Sequence, residues 1–243
     1  MASEYCLEVE DLEKSYGGRK VVNGLSFKVK QGEIVGLLGP NGAGKTTAFY
    51  MTIGLIRPDS GLVLFNGENV TFLPVHRRAK MGMGYLAQEP SVFRGLSVED
   101  NILAILESLP LSKAEKEAKL EELLNELNLA ALRHKISSTL SGGERRRLEI
   151  TRALITNPTF LLLDEPFANI DPISVQEVKE LIRHLSGKNI SVLITDHNAR
   201  EIFSIVDRSY LVFEGKVIRS GTVDELIHDE EVKRTYLGAE FKL

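Results

Sequence analysis

The sequence predicts an α/β protein whose mainly parallel sheet is interrupted by a helical insertion. The segments EIVGLLG, TFLLLDE and ISVLITD are short, nearly continuous apolar runs, as expected of strands that are buried on both faces. Helical patterns separate these runs, and buried strands that alternate with helices indicate a parallel sheet covered by helices. The stretch from Ser97 to Leu129 is mostly helical in pattern and contains no convincing strand, which predicts the insertion.

Further β structure is predicted near both ends of the chain. Residues 5–10 and residues 25–30 alternate apolar and polar side chains, which is the pattern of a strand buried on one face. The segment YLVFEGKVIRSG predicts a hairpin that turns at residues 214–215. Strands are therefore expected before and after the three buried runs.

Capping residues mark the expected helix ends. Ser97 and Ser112 are predicted N-caps, and Glu115 completes a capping box with Ser112. Apolar side chains at helical spacing over residues 175–185 predict a helix that stops near Gly187. Local hydrogen bonding thus predicts where these helices begin or end.

The composition fits a soluble globular protein. The 243 residues are 43% hydrophobic and 26% charged, and the net charge of -4 gives no overall basic field for nucleic acid. Cys6 is the only cysteine, which excludes an internal disulfide and fits a reducing compartment. The start of the sequence lacks the pattern of a signal peptide, and no stretch has the apolar length of a membrane span. Any membrane-spanning part is therefore expected in another chain.

The segment GPNGAGKT, here called the phosphate loop (residues 39–46), matches the pattern G-x-x-x-x-G-K-[ST]. Its glycines let backbone N–H groups face phosphate oxygens, and the following helix adds its positive N-terminus. Lys45 is predicted to reach the β and γ phosphates, and the Thr46 hydroxyl to ligate Mg²⁺. A glycine-rich turn with a chance lysine is the alternative. The buried strand before the loop and the apolar helix pattern after it favour a nucleotide site.

The buried run FLLLDE ends in two carboxylates. Asp164 is predicted to hold Mg²⁺ through water, and Glu165 is the candidate general base for an attacking water. An acidic cap at a strand end is the simpler interpretation of these residues alone. The phosphate loop in the same chain favours the catalytic interpretation.

The segment LSGGERRRLEI predicts a helix start that contains more than a cap. Ser141 and Glu144 have the S-x-x-E spacing of a capping box. Capping does not need the two glycines between them, and the three arginines at residues 145–147 are candidate contact sites. A separate function is therefore expected for the glycines.

These motifs, taken together, form an ordered set. Along the chain they are the phosphate loop, Gln88, LSGGE, an apolar strand ending in Asp-Glu, Asp171, and His197 after the next strand. In this order they resemble the ATP-binding cassette family, the motor subunits of ABC transporters, over essentially the whole chain. The resemblance implies a P-loop NTPase core with a mainly parallel sheet, an N-terminal antiparallel β region and an inserted helical subdomain. It implies a single ABC ATPase domain, with a RecA-like core and β region at residues 1–89 and 156–243 and the helical subdomain at residues 90–155.

The resemblance implies roles for further residues. Tyr16 would stack on adenine with Arg19 assisting, although an ordinary hairpin aromatic is the alternative. Gln88 would complete the Mg²⁺ shell and sense the partner subunit, His197 would contact the γ-phosphate, and Asp171 would link two active sites at a dimer interface. The predicted ATP-binding residues are Tyr16, Arg19, Gly39, Pro40, Asn41, Gly42, Ala43, Gly44, Lys45, Thr46 and Thr47. The predicted metal ligands are Thr46, Gln88 and Asp164, and the predicted catalytic residues are Glu165 and His197.

The same resemblance implies a function for the glycines of LSGGE. In this family two cassettes pair head to tail, and the LSGGE of one subunit closes over the ATP held by the other. Ser141 and the amides of Gly142 and Gly143 would then face a γ-phosphate in trans, as another helix-terminus anion site. The expected partner is a second copy of this chain, with no direct nucleic-acid contact. The segment supplied in trans, here called the signature segment, is Leu140, Ser141, Gly142, Gly143 and Glu144.

Four segments narrow the resemblance, namely LSGGERRRLEI, YLAQEPSVFRGLSVEDNI, ITDHNARE and the ending VKRTYLGAEFKL. Together they resemble the ATPase subunits that power lipopolysaccharide export in Gram-negative bacteria, peripheral on the cytoplasmic face of the inner membrane. Branched-chain amino-acid importer ATPases share the Tyr-Leu-Gly ending and are the alternative. A soluble cassette that acts on ribosomes or DNA is less well matched, because those usually have two cassettes or a long inserted coiled coil. The residues from Val232 onward are expected to be a supporting tail or a packed helix end.

Phe93 and Arg94 follow Gln88 where cassettes form a groove for the coupling helix of a membrane permease. Phe93 would be an apolar anchor in that groove, and ordinary core packing is an equal alternative. Two residues depart from the family pattern. Ala87 stands where proline is usual, and Asn169 where glycine is frequent. The first departure puts the rigidity of its loop in doubt, and the second puts the loop conformation or the dimer contact in doubt.

Overall fold

A computed structural model describes residues 4–238, 241 and 243. The strands are β1 Tyr5–Tyr16, β2 Arg19–Lys30, β3 Ile34–Leu38, β4 Ser60–Phe65, β5 Glu68–Asn69, β6 Met83–Leu86, β7 Phe160–Asp164, β8 Ser191–Thr195, β9 Arg208–Phe213 and β10 Lys216–Thr222. The helices are α1 Lys45–Ile53, α2 Val75–Lys80, α3 Val98–Leu106, α4 Lys113–Glu126, α5 Gly142–Leu154, α6 Pro172–Gly187, α7 Ala199–Phe203, α8 Val223–His228 and α9 Glu230–Val232. None of the helices in the described residues combines the length and the apolar character that a membrane crossing requires.

The described strands form two sheets, which confirms the predicted α/β class. Strands β2, β1, β4 and β5 make an antiparallel sheet in that order. The other sheet has the order β10-β9-β3-β8-β7-β6, in which β9, β3, β8, β7 and β6 run parallel. Strand β10 pairs antiparallel with β9 at its edge. The three apolar runs of the sequence are β3, β7 and β8, and each is buried along its whole length.

The parallel sheet separates two apolar clusters. In β3, Ile34 and Leu38 belong to one cluster, and Val35 and Leu37 belong to the other, because successive side chains of a strand point to opposite faces. The first cluster includes side chains of α3, α4, α5 and α6. The second includes side chains of α1 and of the antiparallel sheet. Packing on both faces fixes the carboxyl ends of these strands, where the candidate site lies.

Helices α3, α4 and α5 lie between β6 and β7 in the chain, where the sequence predicts the insertion. Each begins at a serine N-cap whose hydroxyl accepts a hydrogen bond from the amide three residues ahead. Ser112 and Ser141 form full capping boxes, and Ser97 forms a simple cap, as predicted. The subdomain limits at residues 90–155 stay a prediction.

The C-terminal elements pack back onto the sheet. The predicted hairpin of β9 and β10 is confirmed, and it turns at Glu214 and Gly215, whose φ angles are +48° and +79°. After α9, a π-helical turn at Lys233–Leu237 brings the Tyr236 hydroxyl to 3.5 Å from the carbonyl oxygen of His197. The ring of Phe241 packs against Phe203 of α7. The described part of this segment is therefore packed, whereas residues 239, 240 and 242 lie outside the described residues.

Candidate nucleotide site

The loop between β3 and α1 depends on glycine at the carboxyl edge of the parallel sheet. Gly39 and Gly44 have φ angles of +148° and +101°. A Cβ atom on Gly39 would lie 2.1 Å from the carbonyl oxygen of Val212, and one on Gly44 would lie 2.5 Å from that of Val21. Neighbouring backbone therefore excludes any side chain at these two positions. The predicted phosphate loop thus has a fixed backbone between two strands.

Lys45 begins α1 and turns its ammonium group back over the phosphate loop. Its Nζ atom donates to the carbonyl oxygens of Gly39 at 2.6 Å and Pro40 at 2.9 Å. Burial lowers the pKa of Lys45, and the charges of Glu165 and Asp164 oppose that change. The lysine predicted to bind phosphate therefore lies within electrostatic reach of the predicted base, Glu165, and of the predicted metal ligand, Asp164.

Asp164 ends β7 and is 2% exposed. Its Oδ1 atom accepts a hydrogen bond from the hydroxyl of Thr195 at 2.7 Å, whereas its Oδ2 atom is buried without a hydrogen-bond partner. Burial raises the pKa of this carboxyl group. A buried carboxylate oxygen without a protein partner indicates that another group completes its surroundings.

A magnesium ion fits this donor set. Mg²⁺ prefers oxygen ligands and commonly binds through one or two protein groups, substrate phosphates and water. The Oδ2 atom of Asp164 and the hydroxyl of Thr46, at the start of α1, are donors of that kind. Among the described residues, no three His, Cys, Asp or Glu side chains form a cluster that would hold a metal without other ligands.

Glu165, Gln88 and His197 meet directly after Asp164. Glu165 has a left-handed φ of +46°, and its amide donates to the carbonyl oxygen of Thr195 at 2.8 Å. Its Oε2 atom accepts a hydrogen bond from Nε2 of Gln88 at 2.9 Å and lies 3.4 Å from Nδ1 of His197. The fold therefore brings together three side chains that are distant in sequence. Gln88 presents its amide nitrogen to Glu165, which leaves its amide oxygen for a further contact.

The signature segment lies at the start of α5, and its glycines are constrained by packing. A Cβ atom on Gly143 would lie 2.2 Å from Oγ of Ser174, and one on Gly142 would lie 3.1 Å from the side chain of Ile170. Ser141 is exposed at the helix N-terminus. None of the hydrogen bonds found within the described residues joins the signature segment to the phosphate loop of the same chain. Close helix packing is a reason for Gly143 that the sequence pattern did not reveal.

Arg146 is a buried connection that sequence reasoning missed. Its guanidinium group donates to the carbonyl oxygens of Ala87, Glu165 and Pro166 at 3.1, 2.9 and 3.0 Å. It also pairs with Glu149 at 2.9 Å, and both side chains are about 5% exposed. Arg146 is therefore not on a solvated helix face, and its partner Glu149 is an acidic residue of the predicted insertion. The i, i+3 spacing of an arginine and a glutamate was the available signal, but it is also common on exposed helix faces.

Tyr16 and Arg19 lie opposite each other where β1 and β2 meet. The ring of Tyr16 is 48% exposed, and the ammonium group of Lys14 lies 5.7 Å from its centre. The neighbouring strand β2 contacts the phosphate loop, because the carbonyl oxygen of Val21 closely approaches Gly44. An exposed aromatic ring therefore stands on the hairpin that flanks the loop.

Asp171 is the N-cap of α6. Its side chain accepts hydrogen bonds from the amides of Ile173 and Ser174 and from the hydroxyl of Ser174 at 2.6 Å. The hydrogen bond from the Ser174 hydroxyl makes the largest contribution to the lowered pKa of Asp171. Since Ser174 also packs on Gly143, this cap lies directly beside the start of α5, which carries the signature segment.

Phe93 is 49% exposed, so the alternative of ordinary core packing is wrong. The guanidinium group of Arg152 lies 4.7 Å from the centre of its ring and donates to the carbonyl oxygen of Ser91. Arg94 follows Phe93, and its carbonyl oxygen accepts a hydrogen bond from the amide of Ser138 at 3.1 Å. An exposed aromatic side chain therefore lies five residues after Gln88 in the chain.

A cavity of about 730 Å³ lies near the C-terminal end of α5. Ile155 and Thr156, which line it, directly follow the end of α5 at Leu154. The other lining residues are Ala79, Lys80, Ser108, Leu109, Pro110, Leu111, Glu115, Ala118, Lys119, Glu122 and Asn157. The cavity therefore lies at the C-terminal end of α5.

Comparison with known proteins identifies the family. The ABC transporter family pattern matches residues 22–168, which is more than half of the chain. The chain belongs to the ABC transporter family of ATP-binding cassettes. This cassette is an ATP-binding ATPase, as the motifs predict.

Similar proteins cover the cassette almost completely. The lipopolysaccharide export system ATP-binding protein LptB of Acidithiobacillus ferridurans is 55% identical over 237 residues, 98% of each chain. The LptB proteins of Haemophilus influenzae and Escherichia coli are 52% and 50% identical over 238 residues, 98% of this chain and 99% of theirs. A nucleotide-free cassette of an ABC transporter is 28% identical, with a TM-score of 0.86 over 96% of this chain and 99% of its own. A cassette solved in its ADP conformation is 28% identical, with a TM-score of 0.87 over 97% and 100%.

Proposed function

We propose that this cassette is the ATPase subunit of a transporter that extracts lipopolysaccharide from the inner membrane for export. Its identity to three LptB proteins, 50–55% over 98% of the chain, carries the proposal. Two solved cassettes of the same fold are each 28% identical. Partner subunits would hold the cassette at the cytoplasmic face of that membrane.

The cargo is tested through the membrane subunits that co-purify with the cassette. The purified complex is placed in vesicles that contain lipopolysaccharide, and ATP-dependent release of lipopolysaccharide is measured. We expect the wild-type complex to release lipopolysaccharide and the Glu165→Gln complex to release none. ATP-dependent uptake of a branched-chain amino acid would favour the importer alternative, and tight, salt-dependent nucleic-acid binding would favour a soluble cassette.

In the proposed reaction, Lys45 and the amides of the phosphate loop hold the β and γ phosphates. Glu165 takes a proton from water as the water oxygen attacks the γ-phosphorus, and the bond to the leaving ADP oxygen breaks. His197 contacts the γ-phosphate. The exposed ring of Tyr16 stacks on adenine, with Arg19 beside it.

Magnesium belongs to the same proposal. Thr46, Gln88 and Asp164 are the residues that would hold Mg²⁺, and the orphan Oδ2 atom of Asp164 supports this assignment. When bound, the ion supplies positive charge that neutralises the phosphate oxygens.

Glu165→Gln tests the role of the base. The variant retains the size of the side chain, so we expect it to bind ATP while kcat falls by about 10² to 10⁴. Closed dimers should accumulate with ATP and be visible by sedimentation velocity. Glu177→Gln, a change on α6 away from the phosphate loop, is the matched control. Retained hydrolysis in Glu165→Gln would remove Glu165 from the role of base.

The functional unit in this proposal is a homodimer with ATP between the two cassettes. The signature segment of one copy would close over the phosphate loop of the other, and Asp171 would stand at the contact. Support comes from the exposed Ser141 hydroxyl at the N-terminus of α5 and from the lack of hydrogen bonds to its own phosphate loop within the described residues.

The permease groove would contain Phe93 and Arg94, which follow Gln88 in the chain. The exposed ring of Phe93 supports this proposal, because exposed aromatic side chains are typical anchors for a partner helix. We expect Phe93→Ala to lower co-purification with the membrane subunits while the KM for ATP stays within about twofold. Leu62→Ala, an exposed apolar side chain on β4, is the control. Normal co-purification of Phe93→Ala would contradict the groove.

A further inference from the structure

Asp196 is a buried carboxylate that the proposed reaction does not use. It directly follows β8 and is 1% exposed. Its Oδ1 atom accepts a hydrogen bond from the amide of Asn198 at 2.9 Å, whereas its Oδ2 atom has no hydrogen-bond partner. The bond to Asn198 forms a local Asx turn. The amide of Phe167 also interacts with this buried carboxylate, so backbone amides from two loops hold it in place.

The surroundings of Asp196 connect it to the hydrolysis site. Its Oδ1 atom lies 3.4 Å from Nδ1 of His197, and Oε2 of Glu165 lies at the same distance from that nitrogen. Burial raises the pKa of Asp196 and the charge of Glu165 adds to that change, whereas the amides of Asn198 and Phe167 and the charge of His197 oppose it. Lys45 and the phenol of Tyr236 also interact electrostatically with this carboxylate.

We propose that Asp196 is a positioning residue for His197. Its carboxylate accepts the Nδ1 proton, which turns Nε2 of the imidazole toward the γ-phosphate and leaves Glu165 to accept a proton from water. The inference rests on the proposed roles of His197 and Glu165. When His197 contacts a phosphate oxygen, both ring nitrogens carry protons, and the carboxylate of Asp196 balances the imidazolium charge.

The two possible acceptors for Nδ1 have different consequences. A hydrogen bond from His197 to Glu165 would add a second donor to its Oε2 atom, which already accepts from Gln88, and would make the proposed base a weaker proton acceptor. A hydrogen bond to Asp196 occupies a group that has no other part in the reaction. The side chain of Asn198 accepts hydrogen bonds from the amides of Arg200 and Glu201 and so caps α7. This cap holds in place the Asn198 amide that binds Asp196.

Asp196→Asn is the test, because the amide keeps the volume and an oxygen for the amide of Asn198 but removes the negative charge that faces Nδ1 of His197. We expect kcat for ATP to fall about tenfold or more, as for other carboxylates that orient a functional histidine, with the KM changed by less than about twofold. In a His197→Ala background, Asp196→Asn should have no further effect on kcat. Asp207→Asn is the control, because Asp207 also accepts a backbone amide, that of Ile34, but precedes β9 at the opposite edge of the sheet.

A second measurement does not depend on hydrolysis or on the stability of the variant. The ¹⁵N resonance of Nδ1 of His197, assigned by its loss in His197→Gln, should show in the wild-type cassette a proton that is hydrogen-bonded to a carboxylate. Glu165→Gln should leave that signal in place, and Asp196→Asn should shift it. An unprotonated Nδ1, a signal that shifts only with Glu165→Gln, or an additive loss of kcat in the double variant would overturn the inference. Failure of the proposed reaction would instead appear as hydrolysis retained in Glu165→Gln.

Discussion

Single residues in left-handed backbone conformations shape the loops of the site. Glu165 has a φ of +46° and Asn169 a φ of +60°. Asparagine tolerates this conformation better than most residues other than glycine, so Asn169 retains the conformation that glycine commonly adopts. At the other departure from the family pattern, the carbonyl oxygen of Ala87 accepts a hydrogen bond from Arg146. A side-chain contact therefore supports the loop where proline is usual.

Asp164 and Asp171 have pKa values shifted in opposite directions, which predicts opposite effects of neutralising them. Burial raises the pKa of Asp164, so its charge opposes folding at neutral pH and stability is regained as pH falls through the raised pKa. The Ser174 hydroxyl leads the contacts that lower the pKa of Asp171, so its charge adds stability that is lost as pH falls through the lowered pKa. We expect Asp164→Asn to raise the melting temperature without nucleotide, and Asp171→Asn to lower it, at pH 7.

The same melting experiment tests the magnesium assignment. Wild-type cassette should gain stability when Mg²⁺ is added together with ATP, because a ligand of the folded state stabilises it by mass action. The part of the gain that depends on Mg²⁺ should disappear in Asp164→Asn and persist in Asp171→Asn. A full Mg²⁺-dependent gain in Asp164→Asn would exclude Asp164 as a ligand.

Arg146 should matter for stability as well as for the geometry of the site. Arg146→Met leaves Glu149 and several carbonyl oxygens buried without their partner, which costs about 3–5 kcal/mol and lowers the melting temperature by roughly 6 °C or more. Arg147→Met is the control, because Arg147 has only a 3.8 Å pair with the half-exposed Glu177 and should cost about 1 kcal/mol or less. Equal melting temperatures of the two variants would show that the buried network contributes little.

At the scale of elements, strong local patterns predicted structure well and tertiary packing supplied the rest. Strands β3, β7 and β8 were predictable because continuous apolar runs are rare outside buried strands. Strand β6 was not predicted, because it has only four residues and its Gly84 packs closely on the Leu161 side chain. The order of the site motifs was predictable from sequence, whereas the burial of Arg146 and of Asp196 depends on elements distant in the chain.

The contact between α5 and α6 predicts that the two ends of this helix pair respond differently to the same substitution. In Gly143→Ala the new methyl group would clash with Ser174, so we expect a loss of about 1–3 kcal/mol in the free energy of unfolding. Gly187→Ala, at the exposed end of α6, meets no atom within 4 Å and should be neutral or stabilising by up to about 1 kcal/mol. Urea denaturation of both variants measures the difference. A neutral Gly143→Ala would mean that α5 and α6 separate at little cost.

The whole molecule has one phosphate loop and one signature segment, and the fold holds them on different elements, at the starts of α1 and α5. In the proposed homodimer each chain would supply half of each of two sites, which would account for the exposure of Ser141. Gly143 of the signature segment packs closely against Ser174. Because Ser174 belongs to α6, whose N-cap is Asp171, α6 supports the position of the signature segment. In this proposed dimer, we expect closure of one site to change the position of α6 and so to affect the other site.

Mixing two inactive variants tests this arrangement directly. Lys45→Ala removes the lysine that we propose to bind phosphate, and Ser141→Arg blocks the signature segment, so each homodimer should be inactive. In a mixed dimer, the intact phosphate loop of one copy meets the intact signature segment of the other, which rebuilds one site of two. An equal mixture should therefore recover ATPase activity of up to about a quarter of the wild-type value, if dimers form at random with two-fold symmetry. Mixing Lys45→Ala with the double variant Lys45→Ala/Ser141→Arg rebuilds no site and should stay inactive. Activity of the first mixture no greater than the sum of its components would contradict a site shared between two copies.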